Sequence, residues 1–89
     1  MDNKFIIIMD SIHYILKAEK LLKKSGINDF DIIPVPKEIH SNCGSAIEIE
    51  NEETFRNVIS ILNSKNFNFK IFKFNTDLNF YIEIGGEND

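Results

Sequence analysis

The segment KEIHSNCG, residues 37–44, holds the only cysteine of the chain, and a free thiol is the strongest nucleophile the sequence offers. Cys43 lies between Asn42 and Gly44 in a polar stretch. That setting reads as an accessible loop, since a structural cysteine usually sits among apolar neighbours. Gly44 is expected to adopt backbone angles barred to other residues and to leave room beside the sulfur. His40 is placed to hydrogen-bond a thiolate and, when protonated, to favour it. His40 and Cys43 also have the H-x-x-C spacing of half a metal site. A closed zinc site needs four ligands, and no second thiol exists here, so no metal and no cofactor is expected. Ser11 and His13 stand at an expected helix start, where the helix dipole favours an anion. Helical phase turns His13 outward, so a Cys-His pair for acyl transfer is not expected. A lone cysteine allows neither an internal disulfide nor a C-x-x-C dithiol.

The elements that must position these groups follow from pattern. Residues 4–9, KFIIIM, are continuous, β-branched and aromatic, and read as a buried strand. Asp10 and Ser11 are both suitable N-caps for a helix over residues 11–25. That helix puts Tyr14, Ile15, Ala18, Leu21 and Leu22 on one face and His13, Lys17, Lys20 and Lys24 on the other. Gly26 supplies its left-handed stop, with Ile27 folding back on the last turn. FDIIPVP, residues 30–36, is extended, and its two prolines assign it to a sheet edge. SAIEIE returns as a strand, and Asn51 caps a second helix through about Lys65, with Phe55, Val58, Ile59 and Leu62 on its apolar face. Asn66 is expected to end that helix in the left-handed region. FNFKIFKF is a strand apolar on both faces, and FYIEI closes the set.

The order β-α-β-β-α-β plus a C-terminal strand predicts an α+β fold of the ferredoxin-like, split βαβ type. Two helices would lie on one face of an antiparallel sheet, in a single domain over residues 1–84 with a flexible tail at 85–89. The crossover rule makes the first two strands run the same way. The start of the first helix and the Cys43 loop then share one end of the sheet. The strand that is apolar on both faces needs a second cover, which a homodimer would supply.

Composition narrows the class. Eighty-nine residues with 43% hydrophobic and 27% charged side chains describe one modest globular core. A formal net charge of -4 disfavours a general grip on nucleic acid or anionic membrane. The apolar run at the start is too short for a signal peptide or a membrane span, so a cytoplasmic protein with a reduced thiol is expected.

Two segments read together resemble a known family. Ser11 and His13, then Lys17-Ala18-Glu19-Lys20-Leu21-Leu22, then Pro34, Pro36, Glu38, Ile39, Cys43 and Gly44 match the pattern of the putative selenium/sulfur carrier protein-like family. Its members carry an S-T-H-like helix start, a K-A-E-K-L-L-K helix and P-x-P-R-E-I-S-x-x-C-G. Here Ile12 replaces the threonine, Lys37 the arginine and His40 the serine, and Tyr14-Ile15 is bulkier than the usual pair. The resemblance implies a carrier rather than an enzyme, accepting sulfur or selenium on Cys43. A cysteine desulfurase-like donor would load it and an acceptor enzyme would unload it. Ser11 and the amides of the helix start would favour the anion, His40 would hydrogen-bond it and Gly44 would give a partner access, while His13 belongs to the same helix start without having to touch the thiol. Two rival classes remain, a non-catalytic small-ligand or regulatory module and a thiol redox sensor.

Overall fold

A computed structural model describes residues 4–87. The elements run β1 (Phe5–Ile8), α1 (Ile12–Lys24), β2 (Asp31–Pro34), β3 (Ser45–Ile49), α2 (Glu52–Ser64), β4 (Phe69–Asn75) and β5 (Phe80–Glu87). The class is α+β, with two helices and one antiparallel sheet ordered β2-β3-β1-β4-β5. The order differs from that of a four-stranded ferredoxin-like sheet in that β5 continues it beyond β4. β2 lies at one edge, as its prolines require.

Local signals explain the element boundaries. Gly26 takes φ +87° and closes α1, where the Ile27 N–H donates to the Leu22 carbonyl at 2.9 Å. Asn51 accepts the Thr54 N–H on its side-chain oxygen at 2.9 Å, capping α2, and Asn66 leaves that helix region at φ 61°. Ser11 holds the N-cap position of α1, but its hydroxyl makes no capping bond. The strand read as ending at Ile84 continues to Glu87. A register shift opposite Ile71/Phe72 absorbs one extra residue, after which Gly85 pairs with Ile71 and Gly86 with Lys70. The expected loose tail therefore begins no earlier than residue 88, and residues 88–89 lie outside the described residues.

Every residue of β1 is buried, so this strand needs apolar cover on both faces. On one face Phe5 and Ile7 pack with Ile47, Ile49, Phe69 and Ile71 beneath Ile15, Ala18 and Leu22 of α1 and Val58 and Leu62 of α2. The Phe55 ring stacks on Phe5 with centroids 4.0 Å apart. On the other face Ile6, Ile8 and Ala46 are sealed by Ile39, with Ile33, Val35, Phe72 and Tyr81 around them. Much of the second cover expected from a partner is thus supplied by the chain's own β2–β3 loop. Burying one such isoleucine contributes about 1.5–3 kcal/mol. Phe80, Ile82 and Ile84 of β5 stay exposed.

β1 and β2 are both antiparallel to β3, so they point the same way. The start of α1, the β2–β3 loop and the start of β4 consequently gather at one end of the sheet. This is the juxtaposition that handedness predicted.

Tyr81 gives the fold a pH signature. Burial pushes its phenol above the usual value of about 10, while the positive charge of Lys4 pulls the other way. The folded chain therefore keeps a proton that the unfolded chain releases. This contribution to stability is fully present below pH 10 and is lost as pH rises through the raised value. Urea unfolding across alkaline pH should show the decline, and Tyr81→Phe should remove Tyr81's share of the slope.

Candidate functional site

The site is built from the β2–β3 loop. Pro34 ends β2 opposite Ser45, and the Val35 N–H donates to the Gly44 carbonyl at 3.0 Å, closing the neck of the loop. The Ile39 N–H donates to the Pro36 carbonyl at 3.0 Å, so Pro36-Lys37-Glu38-Ile39 turns back towards the sheet. Ile39 then inserts among Ile6, Ile8 and Ala46 on the face away from the helices. Three residues after His40, Cys43 inserts among the core residues on the opposite face. The loop is therefore pinned on both sides of the sheet end, and His40, Ser41 and Asn42 span the gap between the pins.

This corrects the expectation of an accessible thiol. Cys43 is only 4% exposed. Residues 47 and 49 of β3 face the helices, and carrying the two-residue alternation back two more steps places Cys43 on that same side. Its backbone N–H donates to the Ser41 hydroxyl oxygen at 3.0 Å, and its S–H donates to the Ser45 carbonyl at 3.2 Å. Gly44 is corrected as well. Its φ lies outside the left-handed region, and a Cβ there would meet nothing within 4 Å. It is exposed, and neither strain nor crowding requires glycine at that position.

A cavity of about 360 Å³ lies beside the loop, lined by His40, Ser41 and Asn42, by Ile8-Met9-Asp10 leaving β1, and by Asn68-Phe69-Lys70 entering β4. His40 is thus brought to an open, polar recess next to the buried sulfur. Ser11 and His13 do not line it. Ser11 is half-buried, with its carbonyl accepting the Tyr14 and Ile15 N–H groups. His13 is exposed and edge-on to Tyr14 at 5.5 Å between centroids, outward as its helical phase predicted. Sequence reasoning missed Ser41, Asn68 and Lys70, and read Asp10 only as a cap. The antiparallel β1–β4 pairing that sets Ile8 against Lys70 is what gathers Asp10, Asn68 and Lys70 at one sheet end.

Among the described residues no group of three or more His, Cys, Asp or Glu side chains could hold a metal ion. No described helix is long and apolar enough to cross a membrane. A family model described as "Putative Se/S carrier protein-like" matches residues 4–73, which takes in β1 through most of β4 and the whole Cys43 loop. No curated protein and no solved structure matches the chain.

The buried sulfur sets two expectations. A small thiol reagent should modify Cys43 in the folded chain about tenfold or more slowly than in the urea-unfolded chain, because reaction must wait for local opening. Cys43→Ala should cost about 1–2 kcal/mol in urea unfolding, and Gly44→Ala no more than about 0.5 kcal/mol. Equal reaction rates in the folded and unfolded chains would show that the thiol is open.

Proposed function

The chain belongs to the Putative Se/S carrier protein-like family, and from that premise we propose that it is a sulfur or selenium carrier whose thiol is unmasked when its loop opens. The observation that carries this reading is the position of Cys43. The only thiol of the chain sits in a short loop, held by two local hydrogen bonds and one apolar contact face, beside an open polar cavity. Releasing residues 41–44 frees the sulfur without unpairing β3, so opening is a local event of the kind that precedes global unfolding.

The closed state does not suit the chemistry. The S–H is engaged with the Ser45 carbonyl and the sulfur is buried, so a donor cannot reach it in place. Transfer therefore belongs to the open loop. There the Cys43 thiolate attacks the terminal sulfur of a donor persulfide, R–S–S–H. A new S–S bond forms on Cys43, the donor's S–S bond breaks, and R–S⁻ leaves, giving Cys43–S–S–H with no net oxidation. A donor R–S–Se–H loads selenium in the same way. Unloading reverses the roles towards an acceptor thiolate. The donor is of the cysteine desulfurase class and the acceptor an enzyme that consumes the atom. His40 donates a hydrogen bond to the loaded anion, and the uncapped first amides of α1 add a favourable field at the same sheet end. Gly44, exposed and uncrowded, leaves one side open to a partner. Ser11 acts here through its backbone position at the helix start, and His13, exposed beside Tyr14 and lining neither this cavity nor its neighbour, is given no role.

The scaffold reads as a ferredoxin-like sandwich widened by β5, and the exposed Phe80, Ile82 and Ile84 of β5 are the surface through which a homodimer would form. Light scattering should then give twice the chain mass, and a monomer at high concentration would remove that part of the reading. A second function, a non-catalytic ligand-binding module, is favoured by the burial of Cys43 beside an intact cavity.

The deciding measurement is the intact mass after incubation with a cysteine desulfurase and cysteine. The carrier reading expects an added sulfur atom that maps to Cys43 and is absent from Cys43→Ser. It also expects Ile39→Val, which loosens the opposite pin of the loop, to load faster than the native chain. An unmodified Cys43 under conditions that load a free peptide thiol would leave the binding-module reading.

A further inference from the structure

A second cavity, of about 400 Å³, opens between α1 and the connection from α2 to β4. Tyr14, Lys17 and Leu21 line it from the helix, and Lys65, Asn66 and Phe67 from the connection. Positions 14, 17 and 21 follow the three- and four-residue spacing of a single helical ridge, so Lys17 joins Tyr14 and Leu21 rather than the outward face read from sequence. Asp10 and Asn68 line both this cavity and the one beside His40. The two recesses therefore form one groove across the end of the sheet.

The groove reverses the sign of the chain. The protein has a formal net charge of -4, yet this groove is lined by Lys17, Lys65 and Lys70 against the single carboxylate of Asp10. None of these four groups takes part in an ion pair among the described residues. Beneath the lysines the lining is apolar and aromatic, with Phe67 nearly buried, Leu21 half-buried and the Tyr14 side of the helix open to solvent. A recess of this size with an apolar and aromatic lining and two cations at its walls has the make-up of a small-molecule site. An acid in this recess would find Lys17 and Lys65 on its walls, neither engaged in an ion pair among the described residues, while an apolar body would cover the Tyr14–Leu21–Phe67 surface.

We propose that this groove binds a small organic anion, a carboxylate or phosphate monoester on an apolar body, at the sheet end that also carries the Cys43 loop. The site uses no atom of Cys43 and stands whether or not the carrier reading does. The test is a heteronuclear NMR titration of the full chain with benzoate and, separately, with phenyl phosphate. At least one should give saturable amide shifts centred on Tyr14, Lys17, Leu21 and residues 65–68, and the arm that binds more tightly identifies the acid. Lys17 and Lys65 are both exposed, so the double variant Lys17→Gln, Lys65→Gln should fold normally and bind about tenfold more weakly, a loss of about 1.4 kcal/mol. Cys43→Ala should bind as the native chain does, which separates this site from sulfur transfer. The proposal is overturned if neither ligand gives saturable shifts at millimolar concentration, if the double variant binds as well as the native chain, or if the shifts centre on Phe80–Ile84.

Discussion

Strand β1 has no face that can meet water, and the remainder of the structure can be read as the means of covering it. Four consecutive buried residues, Phe5 to Ile8, stand between β3 and β4, so both edges of β1 are hydrogen-bonded and both faces must be packed. The helices cover Phe5 and Ile7 with their amphipathic stripes. Nothing of comparable size is available for Ile6 and Ile8, and the chain solves this with the β2–β3 loop and a tyrosine from β5. A small domain gains a second apolar cluster in this way, on a sheet face that would otherwise be solvated.

That solution constrains the chemistry. Because Ile39 must reach one face and Cys43 occupies the other, the residues between them have no freedom to lie flat on the surface. They cross the sheet end and wall a cavity there. The P-x-P element acts within the same constraint. Pro34 ends the edge strand and Pro36 begins the turn that sends Ile39 inward. Of the loop residues that resemble the family pattern, Pro34, Pro36, Ile39 and Cys43 shape the loop and the Gly44 carbonyl closes its neck, while Glu38 has no such part. A nucleophile held this way is shielded from adventitious oxidation while closed, since oxidation of cysteine follows exposure.

Charge follows the same division between whole chain and local site. The acidic excess is spread over loops, helix starts and strand edges, with Glu52 and Glu53 opening α2 where the helix dipole favours them. Three lysines without an ion pair among the described residues, Lys17, Lys65 and Lys70, line the sheet end because α1, the α2–β4 connection and the start of β4 converge there. Net charge alone argued against a general grip on nucleic acid or anionic membrane. The topology permits one local exception.

What the sequence by itself determined is what depends on neighbours along the chain. The two helices and their stops at Gly26 and Asn66, the Asn51 cap and the edge position of the proline strand are local matters of period, capping and φ, and all are present. The shared location of the helix start and the Cys43 loop was also legible, because handedness follows from strand twist. Tertiary structure decided the rest. The polarity of KEIHSNCG pointed to an open loop, yet two side chains within it are drawn inward by apolar demand from strands distant in sequence. Gly85-Gly86 looked like a tail until β4 offered it a pairing edge with a bulge to absorb the mismatch. Burial and strand pairing are satisfied between distant segments, so the composition of a segment cannot report the side from which its partner will come.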